Sequence, residues 1–205
     1  LGDIPNADAG RGVKAALAQG AQPAVALLGR QDGFLGNPKV RIGLPGYLED
    51  AAKIMKSMGQ GKRIDELVTS INRAAEAAVP LGKDILVQAV QSMSVTDAKN
   101  ILTGGDTSVT EFFVTKTRAP LSERFLPVVN KATENVGLTQ KYNAFAGKAA
   151  SFGLLKPEES NLAGYVTGKT LDGLFFMIGE EERKIRQNPA GAGSAVLQRV
   201  FGALR

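Results

Sequence analysis

Apolar residues recur at helical spacing along most of the chain. Val13, Leu17, Ala21, Ala24 and Leu28 share one face, and Gly29 closes that segment. Residues 1–10 are polar and contain Gly, so they read as a flexible N-terminal tail. The pattern is clearest at Ile64, Leu67, Val68, Ile71, Ala75 and Ala78, which predicts an amphipathic helix over 61–79 that Pro80 stops or kinks. Leu81, Ile85, Leu86, Ala89, Val90 and Met93 predict the next one. A helix is also expected over 46–58, with Leu48, Ala52, Met55 and Ser57-Met58 near its inner side.

Between the first two helices the pattern breaks. Asp32-Gly33, Gly36, Asn37-Pro38 and Leu44-Pro45 punctuate the segment from Gln31 to Pro45 as turns. Phe34, Leu35, Val40 and Ile42 are too apolar for a solvated loop. The expectation is an ordered irregular loop near residues 31–45, with Phe34 and Leu35 buried and a short extended piece at Lys39–Ile42.

Further on, Ser94-Val95-Thr96-Asp97 is a capping-box start. The Ser hydroxyl can accept from the Asp97 N–H, and the carboxylate can accept from the Ser N–H in return. Asp106 reads as another N-cap, and Pro120 suits the first turn of a separate helix that Gly137 closes. Tyr142, Phe145, Ala146 and Ala149 mark another helix, followed by a linker over 154–160. A long helix runs from about Asn161 to Gln187 and stops at Asn188-Pro189, and residues 196–204 end the chain as a helix. The sum is an all-α, single compact multi-helix domain of about nine helices spanning 11–205, with almost no strand signal.

Composition narrows the chemistry. The 205 residues can bury roughly 70% of the unfolded surface without a disulfide or structural metal. There is no His, Cys or Trp, which excludes Ser-His-Asp and Cys-His nucleophile systems, zinc and haem ligation by those residues, and thiol redox chemistry. Net charge is +5, and it is spread: 7 basic against 5 acidic residues over 1–60, 8 against 8 over 61–130, and 10 against 7 over 131–205. That distribution is a poor footprint for nucleic acid. No run of 18 apolar residues occurs, so no transmembrane segment is expected.

Two helix flanks carry the candidate site. On the 61–79 helix, Asp65, Thr69, Asn72 and Glu76 lie on one side of the apolar stripe, at about 80–140° from Ile64. Such a flank either lines a polar pocket, meets a neighbouring helix, or is simply solvated. On the long helix, Leu174, Phe175, Ile178 and Ile185 lie within about 60° of Leu171, and Glu182 falls inside that stripe at about 20°. A carboxylate there is either paired or at the place where the helix leaves the core. Arg186, one turn on, is the local partner. Tyr165, Asp172, Phe176 and Arg183 form a second, mixed stripe. The candidate binding residues are therefore Asn72, Glu76, Tyr165, Asp172, Phe176, Glu182 and Arg186. No catalytic residue and no metal ligand is assigned. Asp97 and Asp106 are explained as caps; no cofactor is evident, although an oxygen-only Ca²⁺ or Mg²⁺ site stays chemically open. Gly104-Gly105 before a helix lacks the Lys of a phosphate-binding loop.

Five stretches occur in order: Asp32-Gly33-Phe34-Leu35-Gly36-Asn37-Pro38 with Val40-Arg41-Ile42; Asn72-Arg73-Ala74-Ala75-Glu76-Ala77-Ala78; Asp97 through Asp106; Tyr165-Val166-Thr167 leading into Leu171-Asp172-Gly173-Leu174-Phe175; and Glu181-Glu182-Arg183-Lys184-Ile185-Arg186 with Pro189. On these the chain resembles an uncharacterised bacterial family, domain of unknown function 4197, from about Val13 to Phe201. The resemblance implies a helical protein of Gram-negative-type bacteria, usually made with an export signal, and it implies no activity. Members of that family often carry polar or basic residues after the proline, where this chain has Ala190-Gly191-Ala192-Gly193. An anion-binding role for that turn is not carried over.

Two functional readings follow. The first is an exported, non-enzymatic helical protein that binds a protein partner or an apolar ligand in an inter-helix groove. Phe34, Phe112, Phe113, Phe175 and Phe176 are then its candidate lining, unless they are ordinary core. The second is a carboxylate-based hydrolase or a divalent-cation-binding protein. Convergence of Asn72, Asp172, Glu182 and Arg186 in a cleft would favour the second, and an apolar groove the first. The expected compartment is the periplasm, the signal segment being absent from this chain, which opens on Leu1-Gly2-Asp3.

Overall fold

Helix is the regular structure of this protein, and no strand occurs among the described residues. The computed structural model describes residues 6–45, 49, 52–54, 56–105, 108–134, 143, 151 and 161–188. Among them are six α-helices: α1 (Asn6–Gly29), α2 (Gly61–Ala78), α3 (Lys83–Gln91), α4 (Val95–Thr103), α5 (Ser108–Thr133) and α6 (Leu162–Gln187). A π-turn at Lys56–Gln60 precedes α2, and a 3₁₀ turn at Val79–Gly82 follows it, so Pro80 does end that α-helix.

The all-α class stands, but the count of about nine helices is corrected to six among the described residues. One reason is physical. Pro120 does not begin a helix; it lies inside α5, which runs unbroken through Pro120 and Pro127. A proline removes one helical hydrogen bond. No Gly or Asn lies beside Pro120 to offer the chain a turn, and Leu121, Phe125 and Val129 are fully buried, so packing carries the helix across. The Asp106 cap, the linker, the turn after Pro189 and the helix at 196–204 lie outside the described residues, as do much of 46–58 and all of 142–153 except Asn143 and Ser151.

The described residues fall into two compact units. One is drawn from Leu1–Leu27, Gly82–Leu121 and Leu174–Arg205, the other from Leu28–Leu81 and Ser122–Gly173. In the first unit Leu17, Leu86, Phe113, Leu121, Leu174 and Ile178 are buried. A Cβ added at Gly179 would stand 2.8 Å from Thr110 Oγ1, so glycine is what allows α5 and α6 to approach there. Lys14 Nζ donates to the Gln91 carbonyl at 3.1 Å, placing a cation on the C-terminal end of α3. The Ser94 capping box forms as expected: Asp97 N–H donates to Ser94 Oγ at 3.0 Å, and Ser94 N–H to Asp97 Oδ2 at 3.2 Å.

In the second unit Leu28, Phe34, Leu67, Ile71, Phe125, Leu162 and Leu171 are buried. The α2 stripe is in place, with Ile64, Leu67, Ile71, Ala74, Ala75 and Ala78 facing inward. Residues 31–45 form the expected irregular segment. Turns shape it: Gly33 N–H donates to the Arg30 carbonyl, Gly36 N–H to Asp32, and Asn37 N–H to Phe34. Asp32 adopts φ 65°, a left-handed conformation that Asp tolerates better than most residues. Three expectations are corrected. The piece at Lys39–Ile42 begins as a turn, with the Val40 and Arg41 N–H groups both donating to the Asn37 carbonyl. Leu35 is only half-buried, unlike Phe34. Met58 is 73% exposed, beyond the point where Gly59 (φ 81°) breaks the helical path.

Candidate functional site

Helix α2 positions the first group. Asn72 and Glu76 are one turn apart on the edge of its apolar stripe, and both are buried. Asn72 grips one residue of the loop on both sides. Its Oδ1 accepts from Ile42 N–H at 2.8 Å, and its Nδ2 donates to the Ile42 carbonyl at 2.8 Å and to the Val68 carbonyl at 2.8 Å. The side-chain amide thus pairs with Ile42 as a neighbouring strand would. Glu76 Oε1 accepts from the Phe34 and Leu35 N–H groups, each at 3.2 Å. Its Oε2 takes Arg73 Nη1 at 2.8 Å, and Arg73 Nη2 reaches Asp32 Oδ1 at 2.9 Å. The hydrogen bond to Glu76, then that to Asp32, raises the Arg73 guanidinium above its ordinary value against an opposing desolvation effect.

Helix α6 supplies two more holds on the same loop. Tyr165 Oη donates to the Gly43 carbonyl at 2.7 Å. Two turns on, Gly173 makes room for the loop: a Cβ there would lie 2.9 Å from Phe34 Cε1 and 3.3 Å from Val40 Cβ. Asn72, Glu76 and Tyr165 therefore share one task, which is to satisfy backbone groups of a segment that cannot satisfy its own. Asp172 lies in this unit too, exposed to solvent.

In the first unit Glu182 sits at 1% exposure inside the α6 stripe, where its phase puts it. Arg186 Nε donates to Glu182 Oε1, and Arg186 Nη2 donates to the Ile101 carbonyl at 2.7 Å. That carbonyl, in the last turn of α4, also accepts from Ser108 Oγ at 2.8 Å. A guanidinium and a hydroxyl thus close the C-terminal end of α4, where carbonyls lack helical partners and the dipole favours a cation. A pocket of about 280 Å³ opens at this corner, lined by Asp97, Asn100, Ser108, Glu111, Phe112 and Lys116 among others. Phe176 is 43% exposed, one turn before Glu180 and two before Arg183, which form an ion pair at 2.8 Å.

The seven candidates therefore separate. Asn72, Glu76 and Tyr165 hold the loop; Glu182 and Arg186 hold the end of α4; Asp172 and Phe176 are at the surface. Arg73, Asp32 and Gly173 were not among them. Arg73 stands three residues before Glu76, a spacing at which helical side chains meet, and that was the available signal. Phe34, Phe112, Phe113 and Phe175 are buried, so Phe176 alone of the five phenylalanines considered is exposed. Among the described residues no three carboxylates come together as a metal site would need, and no helix is long and apolar enough to cross a membrane.

The family described as Protein of unknown function (DUF4197) matches residues 3–202. No curated protein and no solved structure matches the chain.

Proposed function

We propose, for a chain that belongs to the family described as Protein of unknown function (DUF4197), that it works as an exported, non-enzymatic binding protein, and that the face of α6 carrying Phe176 meets a protein partner. The observation behind this is the exposure of Phe176 at 43% beside Glu180 and Arg183, at i, i+4 and i+7 of one helix. An aromatic side chain with an arginine at its edge is the composition found at the energetic centre of protein interfaces. A protein partner is favoured over a small apolar ligand because the other four candidate phenylalanines are buried in the units themselves. The buried polar residues support the non-enzymatic part: Asn72 and Arg186 hold backbone groups, Glu76 holds backbone N–H groups and Arg73, and Glu182 holds Arg186. Export to the periplasm belongs to the same proposal and rests on the export signal that the family resemblance implies.

A photo-crosslinking residue at position 176, introduced in cells making the full-length protein, tests the reading. A discrete adduct that disappears on Arg183→Glu is expected. Absence of any adduct at 176, with the protein folded and exported, would refute it. Cell fractionation tests the compartment, and a product confined to the cytoplasm would count against export.

A further inference from the structure

The charge balance taken by thirds of the chain averages out local departures, and one of them precedes α2. Between Ala51 and Ile64 there are four basic residues, Lys53, Lys56, Lys62 and Arg63, and no acidic one. All four are exposed. Between them stand Ile54 at 62% and Met58 at 73% exposure, the two most exposed large apolar side chains among the described residues. They are four residues apart, about one helical turn; Met58 lies in the π-turn that leads into α2, and Ile54 stands two residues before it. The break at Gly59, with φ 81°, thrusts this turn out of the α2 path, and no residue of the π-turn is buried.

We infer that the Lys53–Arg63 segment is a docking surface for an anionic phospholipid bilayer. The charge pattern selects the occupant. Exposed Lys and Arg are drawn to a negative headgroup layer, and apolar side chains set among them enter the acyl boundary, which is the division of labour in interfacial membrane segments. Nucleic acid would use the same cations but offers nothing to an isoleucine and a methionine with no aromatic platform beside them. The acidic residues nearest in the chain, Glu49, Asp50, Asp65 and Glu66, flank the segment without interrupting it. They limit the attraction, so the contact is peripheral and reversible. This segment shares no residue with the Phe176 face, and either proposal can fail without the other.

The chain has no Trp, so Met58→Trp gives a single reporter. Vesicles of phosphatidylcholine with about one third phosphatidylglycerol should shift its emission to the blue, and vesicles of phosphatidylcholine alone should not. Changing Lys53, Lys56, Lys62 and Arg63 together to Gln in the otherwise native protein should weaken co-sedimentation with the anionic vesicles by several hundredfold, at roughly fivefold per charge. Ile54→Ser with Met58→Ser should weaken it on the order of tenfold or more. Raising salt from about 0.05 M to 0.5 M should release the native protein. Equal binding to both vesicle types would overturn the proposal. So would an equal blue shift from Val95→Trp, at another exposed apolar position, or binding to single-stranded RNA with none to vesicles.

Discussion

Replacing Asn72 with Ala removes three hydrogen bonds at once, and they are unequal. The Val68 carbonyl keeps its place in the α2 ladder, so losing Asn72 Nδ2 costs it little. The Ile42 N–H and carbonyl have no such reserve. Ile42 is 2% exposed, and Asn72 is the partner of both its backbone groups, each at 2.8 Å. A buried backbone group left without a partner costs about 1–3 kcal/mol, which gives about 2–6 kcal/mol for the pair. The upper part of that range is out of reach if the loop can detach, because water then meets both groups. The loss is capped at the free energy that docks the loop.

The assay separates these limits. Urea denaturation of Asn72→Ala should show a loss of at least about 2 kcal/mol. Hydrogen exchange should show whether the Ile42, Phe34 and Leu35 amides lose protection together while the α3 amides keep theirs. Asn72→Asp is the sharper variant. It preserves shape and the acceptor for Ile42 N–H, but turns the donor into a carboxylate oxygen facing two carbonyls at 2.8 Å. It should destabilise at least as much as Ala. Asp65→Asn, at an exposed position of the same helix, should stay within about 0.5 kcal/mol of the native protein. If Asn72→Ala costs under about 1 kcal/mol and leaves Ile42 exchange unchanged, the loop is held by something other than this amide.

Phe34→Ala should cost about 3–5 kcal/mol in the same denaturation series, since the ring is fully buried; a loss below about 1 kcal/mol would mean the ring does not anchor the loop. Gly173→Ala places a Cβ at 2.9 Å from Phe34 Cε1 and should cost about 1–3 kcal/mol by overpacking, and Phe34→Leu in the same chain should recover part of it. Glu182→Gln and Arg186→Met should each lower stability by about 3–5 kcal/mol, with the double variant less damaged than the sum; two near-neutral single variants would show that the pair is solvated in solution.

Where structure was legible in the sequence, the cause was local. The α2 stripe from Ile64 to Ala78 declares itself because one helix face must be apolar to be buried, and i, i+3, i+4 spacing is the trace of that face. The capping box at Ser94 is legible because both its hydrogen bonds close within four residues. Pro120 misled for the complementary reason. A proline signals a helix start only when the residues before it turn away, and Thr117 and Leu121 are instead buried on either side of it. Burial of those flanking positions is a tertiary fact that no local window holds.

The two glutamates buried among the described residues draw the line most sharply. Glu182 is legible by its phase and its partner by spacing, because Arg186 is one turn away on the same helix. Glu76 has the same burial, but its phase lay on a flank that a solvated residue could equally occupy. Its backbone partners, Phe34 and Leu35, are 42 and 41 residues distant. Yet the sequence did carry half of the relation. A loop rich in Gly and Pro with buried apolar residues must leave N–H and carbonyl groups without regular partners, and those groups need side-chain acceptors and donors on whatever element covers them. An Asn and a Glu one turn apart beside an apolar stripe are such a pair. The demand came from residues 31–45 and the supply from α2, and only the fold says that the two meet. The consequence for function is direct: polar residues that interrupt an apolar face are as well explained by an unsatisfied neighbouring backbone as by a substrate, and in this chain Asn72, Glu76 and Tyr165 all have such a backbone to serve.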